Sequence, residues 1–297
     1  MGNDLNGNIL CDLCGSGNSA YRVIFKDQHG QMTGGIAKCL QCGLIYRNPA
    51  IKEALISESY DAQEYDNAAG DWIAGRRRVF DRYIDEMEIW RKSNTLLDIG
   101  CGPGFFLEAC RARGWQCNGF ELSCSAVRYA KEKYGLVVTN EPFGNGYYSD
   151  NYFDVVTLWN VLDHLQSPRR ALIEIFRILR PGGAVVIRLP NASFHLPAYI
   201  FFRKLHSLFR SCKVNPAVIG NFAFSASVMC RLAGDTGFQS TRVDNSSLVW
   251  TQGSGRVDAG GNRLRAAKVV ELVAAGVSAI TKGTCHVAPS FTSVSIK

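Results

Sequence analysis

The 297-residue sequence predicts an α/β protein, a doubly wound and mostly parallel sheet, with a small cysteine-rich unit at its N-terminus. Three observations predict it. From residue 94 onward, short apolar runs alternate with helical patterns, as strands joined by crossover helices do. The first run, Leu96-Leu97-Asp98-Ile99, stops abruptly at Gly100-Cys101-Gly102-Pro103-Gly104. Two Cys-x-x-Cys pairs stand within the first 50 residues.

In chain order, residues 1–50 form the first unit. "YRVIFKD" and "GGIAKCLQCGLIYRNP" read as strands around turns, closed by Pro49. Cys11 and Cys14 are separated from Cys39 and Cys42 by 24 residues. Two such knuckles put four thiolates in tetrahedral reach of one Zn²⁺. A Cys₄ site is coordinatively closed, so the expected role is structural, and a ribbon this small takes much of its folding energy from the metal. The alternative is two unrelated pairs of buried or redox thiols.

Residues 51–93 read as a helical linker or lid. In "GDWIAGRRRVFDRYIDEMEIWRK", Trp72, Val79, Phe80, Tyr83, Ile84, Met87 and Trp90 fall at roughly helical spacing, and Arg76-Arg77-Arg78 reads as a solvated face. Residues 94–297 carry the alternation. Strands are predicted at "TLLDIG", "QCNGFELS", "LVVTN", "YFDVVTLWN" and "AVVIRLPN", with helices at "GFFLEACRARG", "SCSAVRYAKEKYG" and "SPRRALIEIFRILRPGG". Near-continuous apolar strands indicate a parallel sheet covered on both faces. An aromatic and basic insertion at about 191–225 interrupts the pattern. Helix "SASVMCRLAGDTGF", strand "STRVDNSSLVW", a Gly-rich loop, a helix at 262–280 and a last strand "HVAPSFTSVSIK" follow.

Composition narrows the function classes. Apolar residues make up 46% of the chain, enough for a sizeable core. Residues 191–297 carry 12 Lys and Arg against 4 Asp and Glu, which suits an anionic substrate, nucleic acid or an acidic membrane surface, or is ordinary solubility charge. No signal peptide and no transmembrane run is expected, and 11 cysteines without a secretion signal point to reduced thiols and a cytoplasmic protein.

The glycine turn marks where a ligand can approach the backbone, without identifying it. Alternate glycines let the backbone approach a ligand closely, and the helix opening near Phe105 aims its amides and positive dipole end there. A dinucleotide fingerprint reads G-x-G-x-x-G, whereas here the third glycine comes one position early. Asp98 precedes the turn and can accept from its amides or from a ligand ammonium, and Glu121, ending the next strand, offers two oxygens to the hydroxyls of a ribose.

"LLDIGCGPG" resembles the first motif of class I S-adenosylmethionine-dependent methyltransferases. "GFELS", "YFDVVTLWNVLDHL" and "RILRPGGAVVIRLPN" resemble its later motifs in the expected order. With the cysteine pairs, the chain resembles a bacterial zinc-ribbon methyltransferase group that includes sugar C-methyltransferases. The resemblance implies a Rossmann-like sheet of seven strands, parallel except for one antiparallel strand near the C-terminus. It implies S-adenosylmethionine as cofactor beside structural Zn²⁺, with the methyltransferase domain at 94–297. Asp98, Gly100, Cys101, Gly102 and Gly104 would line the methionine and ribose part, Glu121 the ribose hydroxyls and Leu122 the adenine. Asn160 and Val161 would border the methionine, with His164 beside them. In the family the segment holding Tyr60 and Tyr65 folds over the cofactor, which makes Tyr65 a candidate contact. Where the family carries an acid after its third strand, this chain reads "EPFGNGYYSDN", with Gly144 or Asn145 near that place.

The insertion after the fifth strand is the expected substrate cap. His195 stands there as a candidate base for a hydroxyl or acidic carbon, against a packing role. "YIFFRKLHSLFR" (199–210) is basic and amphipathic and reads as a cap or as a peripheral contact with a membrane or lipid-like substrate. The leading expectation is methylation of a small molecule. RNA methylation and a catalytically silent binding protein with the same fold are the alternatives, and the oligomeric state stays open.

Overall fold

A computed structural model of the protein describes residues 10–17, 21–26, 35–48, 50–51, 55, 58, 76–77, 79–144, 146–197, 200, 220–246, 286 and 288–297. In chain order the strands are β1 (Tyr21–Lys26), β2 (Gly35–Cys39), β3 (Ile45–Asn48), β4 (Thr95–Ile99), β5 (Gln116–Phe120) and β6 (Val137–Thr139). They continue with β7 (Phe153–Trp159), β8 (Leu179–Pro190), β9 (Phe222–Ala223), β10 (Ser240–Ser246) and β11 (Ser290–Ile296). The helices are α1 (Phe105–Ala112), α2 (Cys124–Tyr134), α3 (Pro168–Ile178) and α4 (Ala226–Asp235). Further helical turns cover 79–87 and 192–197.

Seven strands form the main sheet in the order β10-β11-β8-β7-β4-β5-β6. The pairs β4–β5, β5–β6, β4–β7 and β7–β8 are parallel, and β11 runs antiparallel to both its neighbours. This is the Rossmann-like order the motifs imply. All of β4 and nearly all of β7 are buried, as strands covered on both faces must be. The chain leaves β4 for β5 on one side and later returns to β7 on the other. The glycine turn after β4 therefore sits at the point where the strand order reverses, the usual ligand crevice of such sheets.

The helix boundaries follow local chemistry. Ser123, Ser167 and Ser225 cap α2, α3 and α4 by accepting from backbone amides, and Pro168 opens α3 where its missing N–H costs nothing. No side chain caps α1; Gly104, at φ 83°, stands at its start. One strand is longer than expected. The Pro-Gly-Gly at 181–183 reads as a turn, yet β8 starts at Leu179, because pairing to β7 resumes across a register shift between Phe153 and Val155, with Gly182 at φ 77° absorbing the bend.

The ribbon strands β1, β2 and β3 pair antiparallel, and β9, at the end of the insertion, adds a fourth strand, with Tyr46 opposite Phe222. Leu13, Leu44 and Tyr46 share one core cluster with Leu158, Leu162 and Met229. The Asp12 carboxylate accepts from Ser167 Oγ at 2.6 Å and from the Arg169 amide at 2.9 Å, an anion at the positive end of α3. Asn221 is wholly buried where these parts meet. Its Oδ1 accepts from the Ile51 amide, its Nδ2 donates to the carbonyls of Ile51 and His164, and its own carbonyl accepts from the Arg47 amide. On the other face, Phe80, Tyr83, Ile84 and Met87 pack against Leu107, Val155, Val186 and Val294. The helix predicted at 262–280 lies outside the described residues. No described helix is long and apolar enough to cross a membrane.

Candidate functional site

The amides of Gly100 and Cys101 both donate to the Phe120 carbonyl, at 2.7 and 3.0 Å, which pins the glycine turn to the end of β5. Gly100, Gly102 and Gly104 take φ of 69°, 55° and 83°, left-handed conformations that favour glycine. Their surroundings differ. A Cβ on Gly100 would lie 2.3 Å from Val161 Cγ2, and one on Gly104 2.5 Å from Leu136 Cδ1, but one on Gly102 would meet nothing within 4 Å. The turn is packed at its ends and open in its middle.

This contrast gives a paired expectation. Gly100→Ala should cost about 2–4 kcal/mol of stability, from a strained left-handed alanine and a displaced Val161. Gly102→Ala should cost about 1–2 kcal/mol, yet its methyl group would stand in the open cradle and abolish ligand binding there. Thermal melts and ligand titrations on both variants check this; equal stability losses would contradict the geometry.

Asp98 is only 1% exposed. Its Oδ1 accepts from Thr157 Oγ1 at 2.7 Å. Burial pushes its pKa up to about 8, with the Thr157 hydrogen bond opposing and the Glu121 charge adding to the rise. The turn amide expected at Asp98 goes elsewhere: Gly102 N–H donates to Glu121 Oε2 at 2.8 Å, while Glu121 Oε1 accepts from the Ser123 amide at 2.8 Å. Glu121 is thus held between the turn and the start of α2. Asn140 Nδ2 donates to the carbonyls of Glu121 and Leu122, fixing the backbone of both. Gly144 is described without a role, and Asn145 lies outside the described residues.

The segment after β7 forms the other wall. Asn160 takes φ 58°, and its neighbour Val161 closes over Gly100. Arg188 Nη1 donates to Asn160 Oδ1 at 2.9 Å, and the Asn160 amide donates to the Arg188 carbonyl at 2.9 Å. His164 Nε2 lies 3.6 Å from Asp163 Oδ2. Burial raises the pKa of Asp163, and the His164 charge opposes the rise. Arg77 is solvated as expected, but Arg76 is partly buried; Arg78 lies outside the described residues. Burial and the charge of Arg188 bring the Arg76 pKa down to about 10.

His195 sits in the helical turn at 192–197. Its Nε2 is 2.8 Å from the Pro289 carbonyl, which ties the ring to the chain entering β11 rather than to the glycine turn. A carbonyl can only accept, so Nε2 carries the proton and Nδ1 is the basic nitrogen. Burial lowers the ring's pKa, and the Pro289 hydrogen bond offsets part of this. Tyr60, Tyr65 and residues 201–210 of the amphipathic stretch lie outside the described residues.

The four ribbon cysteines converge. Their sulfurs all lie within 4.8 Å of one another, with Cys11–Cys42 at 3.5 Å and Cys14–Cys39 at 3.6 Å. A tetrahedron of thiolates about 2.3 Å from Zn²⁺ has edges of roughly 3.8 Å, so the cluster fits one ion. Gly15 and Gly43, at φ 71° and 79°, return amides to the carbonyls of Cys11 and Cys39 and make the two knuckles. Ser16 Oγ lies 3.0 Å from Cys14 Sγ and 3.2 Å from Cys39 Sγ. Burial alone would raise the Cys39 pKa; the Ser16 hydroxyl and the knuckle amides outweigh it and bring the thiol down to about 6.

Sequence reasoning missed Thr157, Asn140, Asn221 and Arg188. Only Arg188 left a signal, a charge inside the apolar run "AVVIRLP". The others are short polar residues whose partners lie far away in the chain.

A family model described as a methyltransferase domain matches residues 72–243. The chain belongs to this methyltransferase domain family. The ubiquinone biosynthesis O-methyltransferase of Nitrosomonas europaea is 32% identical over 117 residues, covering 37% of this chain and 49% of that protein. The 2-phytyl-1,4-naphtoquinone methyltransferase of Nostoc punctiforme is 28% identical over 162 residues, covering 49% of this chain and 66% of that protein. The chain thus spans about half the length of the first of these curated relatives. Among solved structures, the cyclase SpnF superposes with a TM-score of 0.52 at 18% identity, covering 83% of this chain and 96% of that one. That likeness is one of fold.

Proposed function

We propose that the protein transfers a methyl group from S-adenosylmethionine to a small-molecule acceptor. The observation that carries this reading is the cradle at Gly102, open in the middle and flanked by Asp98 and Glu121, in a chain of the methyltransferase domain family. Asp98, Gly100, Cys101, Gly102 and Gly104 would hold the methionine and ribose part, with Asn160, Val161 and His164 on the facing wall. Glu121, already oriented by two amides, would accept from the ribose hydroxyls, and Leu122 would lie against the adenine. Tyr65, in the 51–93 segment, would cover the cofactor above the domain at 94–297. The ubiquinone biosynthesis and naphtoquinone methyltransferases among its relatives support a small-molecule acceptor.

The bound cofactor supplies an already activated methyl group. The chain's own work is then alignment and, where the acceptor is a hydroxyl, removal of a proton. We assign that proton to His195 Nδ1, the nitrogen left basic by the Pro289 contact. A base must be neutral, so the rate should fall as pH drops through its pKa, and burial sets that midpoint below the ordinary histidine value. His195→Ala should slow turnover about 100-fold and remove this acidic limb, with cofactor affinity unchanged. Rates on a panel of phenols and hydroquinones measure it, and an unchanged pH profile would retire His195 as the base.

The cysteine cluster would hold a structural Zn²⁺ in a reducing, cytoplasmic setting. Calorimetry with S-adenosylmethionine tests the central reading. Binding with a thermal shift supports it, and no heat and no shift would overturn it.

A further inference from the structure

Residues 160–167, between β7 and α3, belong to no helix or strand. Their course is therefore set by whatever takes up their backbone groups. The near end is tied to β8, where the Asn160 amide donates to the Arg188 carbonyl. The far end is tied to Gly220-Asn221-Phe222, with Asn221 standing 57 residues beyond His164. The Asp163 carbonyl accepts from the amides of Asn221 and Phe222, at 2.8 and 2.9 Å, and the His164 carbonyl accepts from Asn221 Nδ2 at 2.9 Å. Between the two ends sits Val161. Its carbonyl accepts from the His164 amide at 2.8 Å, and its side chain stands against Gly100.

The stretch that holds this turn is itself held. The Asn221 carbonyl accepts from the Arg47 amide at 2.8 Å, and Phe222 pairs with Tyr46 on β3. Asn221 Oδ1 accepts from the Ile51 amide at 2.6 Å, and Nδ2 donates to the Ile51 carbonyl at 3.1 Å. Both backbone groups of the residue that opens the 51–93 segment thus end on one wholly buried side chain. Gly220 lies close above the turn: a Cβ there would stand 2.7 Å from the Asp163 carbonyl oxygen and 2.9 Å from His164 Nδ1.

A buried carbonyl that loses its donor must find another, and the turn must move to do so. A shift of about 1 Å in groups that position a ligand is enough to be costly. Position decides which part of the ligand would notice. The Val161–His164 turn faces Gly100, whereas Glu121 and Leu122 are fixed separately, by the amides of Gly102 and Ser123 and by Asn140.

We propose that Asn221 is a positioning residue for the methyl donor. It holds the Val161–His164 turn as the wall against the amino-acid part of S-adenosylmethionine, and it ties that wall to the start of the 51–93 segment. This rests on the methyl-transfer reading and adds to it a residue outside the cradle.

The test uses the full-length protein. S-adenosylhomocysteine and methylthioadenosine, which lacks the amino-acid part, are titrated by calorimetry. Asn221→Ala should weaken S-adenosylhomocysteine about tenfold and methylthioadenosine less than about threefold. Gly220→Ala keeps the amide side chain but pushes on the same turn, and it should show the same selective loss. It decides the matter if Asn221→Ala fails to fold. Phe238→Leu controls for stability. It loosens the packing on Phe176, beside the start of β8 and so at the opposite end of the sheet, and should leave both affinities within about threefold. Equal losses for the two ligands in both turn variants would overturn the proposal, because a merely structural role weakens both alike. Unchanged S-adenosylhomocysteine affinity in folded Asn221→Ala would overturn it as well. If the wild type binds neither ligand, the methyl-transfer reading itself falls, and the positioning role with it.

Discussion

Asp98→Ala is expected to weaken S-adenosylmethionine binding on the order of 100-fold, the loss of a charge-assisted contact worth about 2–3 kcal/mol. The residue is next to last in β4, before the cradle, is 1% exposed, and is held by Thr157. Its titration makes the expectation sharper. In the free protein the carboxyl keeps its proton up to about pH 8, well above the ordinary value of 3.8, because burial disfavours the charge. Between those two values the folded chain binds a proton that the unfolded chain has lost. This group's contribution to stability is therefore full below about pH 4 and is lost as pH rises through 8. A cationic ammonium or sulfonium beside it favours the carboxylate, so binding should expel the proton. Affinity should rise with pH up to about 8 and then level off. Asp98→Asn keeps the shape and the Thr157 partner, and it should bind weakly at every pH. Calorimetry at pH 6, 7 and 8, in buffers of different ionisation heat, reads both affinity and proton release. PH-independent binding without proton release would exclude Asp98 from the cofactor site.

Removing metal is expected to lower the melting temperature by more than about 10 °C. A Cys₄ zinc site contributes folding energy outright, and each kcal/mol shifts a chain of this size by roughly 2–4 °C. Cys39→Ser should do the same and bring bound zinc from one ion per chain toward none. The structure adds how the loss should appear. The ribbon shares its core with α4 and the end of β7, its Asp12 caps α3, and its sheet continues into β9. Loss of the ion should therefore shift the main unfolding transition as a whole, rather than melt a separate ribbon first. Elemental analysis and scanning calorimetry, before and after chelation, measure it. An unchanged melt in demonstrably metal-free protein would refute a structural zinc.

Much of this was legible in the chain alone, for local reasons. Strand–helix alternation, serine caps before α2, α3 and α4, and glycines where the backbone must turn left-handed are written at short range. So β4 to β8, α1 to α3 and the cradle could be placed from the sequence. The two cysteine pairs could be read because metal chemistry demands their spacing. Tertiary structure decided whatever depends on residues distant in sequence. Glu121 receives the Gly102 amide across 19 residues, Asp98 receives Thr157 across 59, and Asn221 joins Ile51 across 170. Nothing local distinguishes a threonine that merely fills a strand from one that binds a buried carboxylate. Nor does local pattern separate Arg76, which is partly buried, from its solvated neighbour Arg77. The sequence determined where a ligand's backbone cradle lies, because turn geometry is local. Only the folded chain decided which charges surround it, because burial and pairing are properties of the whole molecule.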